Sequence, residues 1–221
     1  MKTGNKILLW CLCIVAVVVI SVTGTLAYLT DRDSAVNTFT VGQVDITLDE
    51  AKVNTDGTPV KGAERVQENE YHLIPGQTYT KDPMITVKAG SAKSYVRMMV
   101  TLNNADKLLE IFGEEFLPEN YVEGWDSSIW ECVKVGEIAE DNTITYEFRY
   151  YQTVEASAAE DTKLEPLFTN FTVPQTMTGE QLKNLNDPGK FTITVHGHAI
   201  QAAGFENADE AWAAFEKQMN P

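Results

Sequence analysis

The sequence predicts a mainly β protein: an antiparallel two-sheet β-sandwich, jelly-roll-like, with short inserted helices and a C-terminal helix, preceded by a signal-peptide helix. Three observations predict it. Seven or more segments alternate apolar and polar residues with a period of two, as sheets wetted on one face do. Turn-forming clusters such as Thr55-Asp56-Gly57-Thr58-Pro59 separate them. Helical patterns are short insertions between strands, without the alternation of strand and helix that a parallel sheet requires.

At the N-terminus, Lys2 and Lys6 precede fourteen residues, Ile7 to Ile20, that contain no charge, Gly or Pro. This is a positive n-region followed by an apolar h-region. Ser21, Thr23, Gly24 and Thr25 then weaken the helix, and Thr25-Leu26-Ala27 offers the small residue a signal peptidase needs. Cleavage is expected between Ala27 and Tyr28. Residues 1–27 are therefore read as a signal peptide and 28–221 as a single β-sandwich domain. The alternative is a retained anchor, because Ile7 to Ala27 spans 21 residues and a bilayer crossing needs about 20. An uncleaved signal would be the chain's sole membrane contact. Either way the remainder lies outside the cytoplasm, secreted to the extracellular matrix or held at the cell surface.

Removing that segment takes two of the 17 basic residues and none of the 32 acidic ones, leaving a net charge near −17. Nucleic acid is excluded as a partner, since binding it requires a cationic face. The carboxylates are scattered, which reads as solubility rather than as an acidic tail. Cys11 and Cys13 leave with the h-region, so Cys132 stands alone in the mature chain and no intrachain disulfide can form. It reads as a buried small apolar residue, with an intermolecular bridge as the alternative. Roughly 194 residues without a disulfide must rely on a hydrophobic core, and the length suffices for one.

The strands follow in order. Phe39 and Val41 alternate with Thr38 and Thr40; Val44, Ile46 and Leu48 alternate with Asp45 and Thr47. The apolar phase switches across Gly42-Gln43, which predicts a bulge or tight bend. Ile74-Pro75-Gly76-Gln77 is a turn leading into Ile85-Thr86-Val87. Val96, Met98, Val100 and Leu102 share one face of the next strand, and Ile144, Tyr146, Phe148 and Tyr150 one face of another. Leu167, Phe171 and Val173, then Phe191, Ile193 and Val195, complete the set. Helices are predicted over Ala105 to Phe112, over Gln181 to Leu185 behind a capping box at Thr178, and over Ala211 to Gln218 behind Asn207. The last would pack Trp212 and Phe215 onto the body.

The run Gly24-Thr25-Leu26-Ala27-Tyr28-Leu29-Thr30-Asp31, followed by Asn37-Thr38-Phe39-Thr40-Val41-Gly42 and Val44-Asp45-Ile46-Thr47-Leu48, resembles the N-terminal region of the TasA/camelysin family. Ile74-Pro75-Gly76-Gln77, Tyr95-Val96-Arg97 and Ala199-Ile200-Gln201-Ala202 are similar to that group as well. The resemblance implies an exported jelly-roll protein of a Gram-positive biofilm matrix or cell surface, its signal handled by a SipW-type signal peptidase. It also implies self-association, in which the mature N-terminal strand of one molecule completes the sheet of the next and subunits form fibres. The matching strand is Tyr28 to Val41, with Val36, Phe39 and Val41 as its apolar contacts. An added strand satisfies the N–H and C=O groups of an open edge while alternate side chains fill pockets. The competing expectation is that Phe39 and Val41 fold into their own domain as its first strand.

The name camelysin carries a claim of metal-dependent proteolysis. The three histidines are His72, His196 and His198, and there is no His-Glu-x-x-His helix. His196 and His198 lie two apart on one strand face and are the weak candidates for a shared metal. That face also carries Thr192 and Thr194, so exposed histidines are the favoured reading. No catalytic residue is assigned and no cofactor is expected. Cys132 has no local dyad pattern, Ser127-Ser128 lacks a nucleophile elbow, and Asp31-Arg32-Asp33-Ser34 lacks the Gly and terminal Glu of a calcium loop. The reading is a non-enzymatic structural protein. A camelysin-type metallopeptidase and a monomeric membrane-anchored binding domain are the alternatives.

Overall fold

The computed structural model describes residues 44–113, 120–187 and 189–219, together with the strand backbone of 30–33 and 39–41. The strands among them are β1 (Thr30–Asp33), β2 (Phe39–Val41), β3 (Ile46–Asp49), β4 (Thr78–Thr80), β5 (Met84–Val87) and β6 (Ser94–Leu102). They continue as β7 (Val122–Glu123), β8 (Trp130–Val135), β9 (Ile144–Tyr150), β10 (Thr162–Lys163), β11 (Asn170–Thr172) and β12 (Ile193–Gln201). The helices are α1 (Ala105–Phe112), α2 (Gly179–Leu185) and α3 (Ala208–Met219). None of the described helices is long and apolar enough to cross a membrane. The expected signal segment, Ala27, Tyr28, Val36 and Gly42-Gln43 lie outside the described residues.

The fold is mainly β, with three antiparallel sheets. A six-stranded sheet runs β2-β1-β12-β6-β9-β8, and two three-stranded sheets run β10-β5-β3 and β4-β11-β7. The alternation read in β6 and β9 sets the centre of the large sheet. Met98 lies opposite Phe148, Val100 opposite Tyr146 and Leu102 opposite Ile144, and all six are buried. Full burial of such a side chain is worth about 1.5–3 kcal/mol. On the other side of β6, Ile193, Val195, Gly197 and Ala199 of β12 sit opposite Leu102, Val100, Met98 and Val96. They therefore share the core face.

Gly197 lets the second layer approach. A Cβ there would stand 3.1 Å from Ile85 Cδ1 and 3.5 Å from Ile46 Cδ1, so β3 and β5 press directly on the backbone of β12. The third sheet covers the opposite end of the core face. Tyr79 stacks on Phe171 with centroids 5.1 Å apart, and Tyr71 meets both rings edge-on. Gly57 closes this corner at φ +80°, where any Cβ would lie 2.6 Å from the Tyr79 ring.

The phase switch after Val41 coincides with a change of sheet: β2 belongs to the six-stranded sheet and β3 to the β10-β5-β3 sheet. The predicted β11 segment is shorter than its alternation implies: only Asn170–Thr172 is strand, while Leu167 is buried through a loop whose N–H bonds Pro83 O at 2.9 Å. β8 was not among the expected strands, because Glu131 and the bulge between Cys132 and Lys134 interrupt its pattern. The helices fall as expected. Thr178 and Gln181 form the reciprocal capping box of α2, and Asn207 Oδ1 accepts from Glu210 N at 3.0 Å at the start of α3.

Candidate functional site

The N-terminal strands and the strand that receives them form the candidate site. β1 pairs with β12, Thr30 opposite Ile200 through Asp33 opposite Gly197. Its other side pairs with β2, Thr30 opposite Val41 and Arg32 opposite Phe39. The segment expected to act as a donor strand thus completes its own sheet as the terminal hairpin. Phe39 and Val41 lie on β2, one strand further from β12 than β1. Among the described residues β1 spans only four positions of the nine-residue β12, whereas β6 pairs with all nine.

The receiving segment of β12 is held rigid from behind. Arg97, His198 and Ile200 point away from the core and would be wetted in an open sheet, yet α3 covers them. Phe215 stacks on the His198 ring at 4.8 Å, and Trp212, Phe215 and Ile200 form a separate apolar cluster. Arg97 is only 2 % exposed. Its guanidinium lies 4.3 Å from the Trp212 ring centre and 5.0 Å from that of Phe215, a cation–π arrangement. Its Nε donates to His198 Nδ1 at 3.1 Å, its Nη1 to Glu147 at 3.4 Å, and its Nη2 to Glu216 on α3. Glu147 also accepts from Arg149 Nε at 2.7 Å, and Arg149 reaches Asp209 at the first turn of α3. Two arginines therefore tie the C-terminal helix to three strands of the sheet.

This corrects the reading of the histidines. His198 is buried at 7 % exposure and His196 is half-buried, not exposed. The polar face is wet only at its start, where Thr192 and Thr194 are exposed. A metal at His198 would meet a guanidinium already bonded to Nδ1, and like charge disfavours it. Among the described residues no three His, Cys, Asp or Glu side chains are placed to hold a metal ion. Cys132 is half-buried on β8, opposite Phe148.

An apolar cavity of about 110 Å³ lies between the six-stranded sheet and the β4-β11-β7 sheet. Val100, Tyr146, Phe148, Trp125, Phe171 and Leu182 are among the residues that line it. Sequence reasoning missed this space, and it missed the Arg97 network. The signal for the network was present: Arg97 and Met99, Glu147 and Arg149, His198 and Ile200 are outer-face pairs, and only an amphipathic helix such as α3 could cover them.

No protein-family model matches the chain, and neither the curated proteins nor the solved structures contain a significant match to it.

Proposed function

We propose that the chain is an exported, non-catalytic structural protein of the biofilm matrix or cell surface. In this reading the three sheets act as a two-layer, jelly-roll-like sandwich, and copies associate by N-terminal strand addition once a SipW-type peptidase has cut between Ala27 and Tyr28. One observation supports the reading: the N-terminal strands β1 and β2 pair as a terminal hairpin on β12. Exchange of that hairpin between copies would reuse the same backbone pairing, so it costs no new recognition. The opposite edge is protected. β8 carries Glu131 and Lys134 and is bent by a bulge, devices that discourage edge-to-edge pairing. The receiving segment Gly197–Ile200, which pairs with β1, is braced by α3.

The test compares the mature chain with a form lacking Tyr28 to Val41, each incubated across salt concentrations and imaged for filaments. Salt matters because a net charge near −17 opposes self-association until it is screened. Filaments from the mature chain and none from the truncated one support strand addition. If both stay monomeric under all conditions, the reading is wrong. The cavity favours a second reading, a monomeric surface domain that takes an apolar ligand. It is favoured instead if the mature chain stays monomeric and binds a fluorescent apolar probe stoichiometrically.

A further inference from the structure

Just after β3 and β4, side chains from two separate segments meet on the carboxylate of Glu50. Glu50 Oε2 accepts from Lys81 Nζ at 2.6 Å, and Glu50 Oε1 accepts from Asn69 Nδ2 at 2.9 Å. The Lys81 and Glu50 side chains are 9 % and 6 % exposed. The Asn69 amide cannot be flipped, because Nδ2 also donates to Ala51 O at 2.8 Å while Oδ1 accepts from Val53 N at 3.0 Å. Its nitrogen therefore faces the carboxyl group, and its oxygen faces a backbone N–H. The Tyr71 ring flanks the ammonium, its centre 6.0 Å from Nζ. The Tyr71 hydroxyl is pushed well up by burial, and further by the charges of Glu50 and Asp82, which marks a corner poor in water.

A buried ion pair needs no amide beside it. Here an amine nucleophile and an amide electrophile both contact one proton carrier, and the geometry points to a self-catalysed isopeptide bond between Lys81 and Asn69. Proton transfer from Lys81 to Glu50 converts the ion pair into a neutral amine and a neutral acid. The amine Nζ attacks Cγ of Asn69, and the Val53 N–H stabilises the oxygen that becomes negative. Glu50 delivers its proton to Nδ2, then takes one from the attacking nitrogen. The Cγ–Nδ2 bond breaks and ammonia leaves. Glu50 gives its proton to that ammonia, so the sum is one ammonium released for one amide formed, with no oxidant or other reactant. The product closes residues 69–81 into a covalent ring between the loop after β3 and the end of β4. This inference does not depend on how copies of the chain associate.

Mass spectrometry of the purified full chain tests it. The folded protein is expected to be lighter by one ammonia than its residues sum to, and Glu50→Gln and Lys81→Arg are expected at full mass. Trypsin is expected to cut after Arg65 but not after Lys81, giving peptide 66–88. Cleavage of that peptide after Glu70 opens the backbone between the two residues, and the pieces must stay joined. A free peptide ending at Lys81 in protein kept folded for days overturns the proposal. So does an ammonia loss confined to Asn69 with Lys81 still cut, which is succinimide formation alone. Because the wild-type digest decides the matter, the inference remains testable even if the variants do not fold.

Discussion

Replacing Arg97 with Lys removes the fork that joins β6, β12, β9 and α3 while keeping the charge. Arginine serves His198, Glu147 and Glu216 at once from beside two aromatic rings. A single ammonium cannot reach three acceptors in that geometry. Two hydrogen bonds with charged groups are lost, at about 1.5–3 kcal/mol each. Arg149 still holds Glu147, and Lys makes one bond of its own, so the net cost is about 3 kcal/mol. For a domain of this size that lowers Tm by about 6–12 °C. Urea denaturation measures the free energy, and hydrogen exchange along α3 locates it: the amides of α3 are expected to lose protection more than those of β6. Lys190→Ala is the control, because its pair with Glu70 is exposed on both sides, at 79 % and 70 %. It is expected to leave the unfolding free energy close to that of the wild type, because an exposed ion pair contributes little. If Arg97→Lys unfolds within about 0.5 kcal/mol of the wild type, a range typical of unremarkable surface changes, the guanidinium network is not what holds the helix.

Two further perturbations address the core and the charge. Gly197→Val forces a branched side chain where even a Cβ meets Ile85 at 3.1 Å; denaturation should show a loss of about 1–3 kcal/mol, partly recovered in the double variant with Ile85→Ala, and strict additivity would argue against direct contact. Asp161 is held below the ordinary aspartate value of 3.8 by the Ala89 backbone N–H and then by Lys88. Asp56 and Asp126 are lowered by bonds from Thr58 and Ser128. A lowered folded value means that this stability is present above 3.8 and is lost as pH falls through the folded value. Urea midpoints followed down through the aspartate range should therefore fall on acidification, and Asp161→Asn should flatten that fall. An unchanged slope would remove Asp161 from the account.

Local pattern was enough to mark the chain as mainly β and to set much of its local order. Period-two alternation marked β6, β9 and β12 because a sheet's side chains alternate between core and solvent whatever lies beyond. Local chemistry likewise marked the Thr178 capping box and the turn at Gly57, since a cap or a positive φ is satisfied within a few residues. What local pattern could not carry was partnership. Whether the outer face of β12 is wet or covered depends on a helix that begins seven residues after the strand ends and folds back over it; hence His198 reads as exposed in the sequence and is buried in the fold. The division of β2 and β3 between two sheets, the cavity under Phe171, and the meeting of residues 50, 69 and 81 on one carboxylate are likewise products of chain topology. Each of them joins residues whose separation in sequence exceeds any periodicity that a single strand or helix can record.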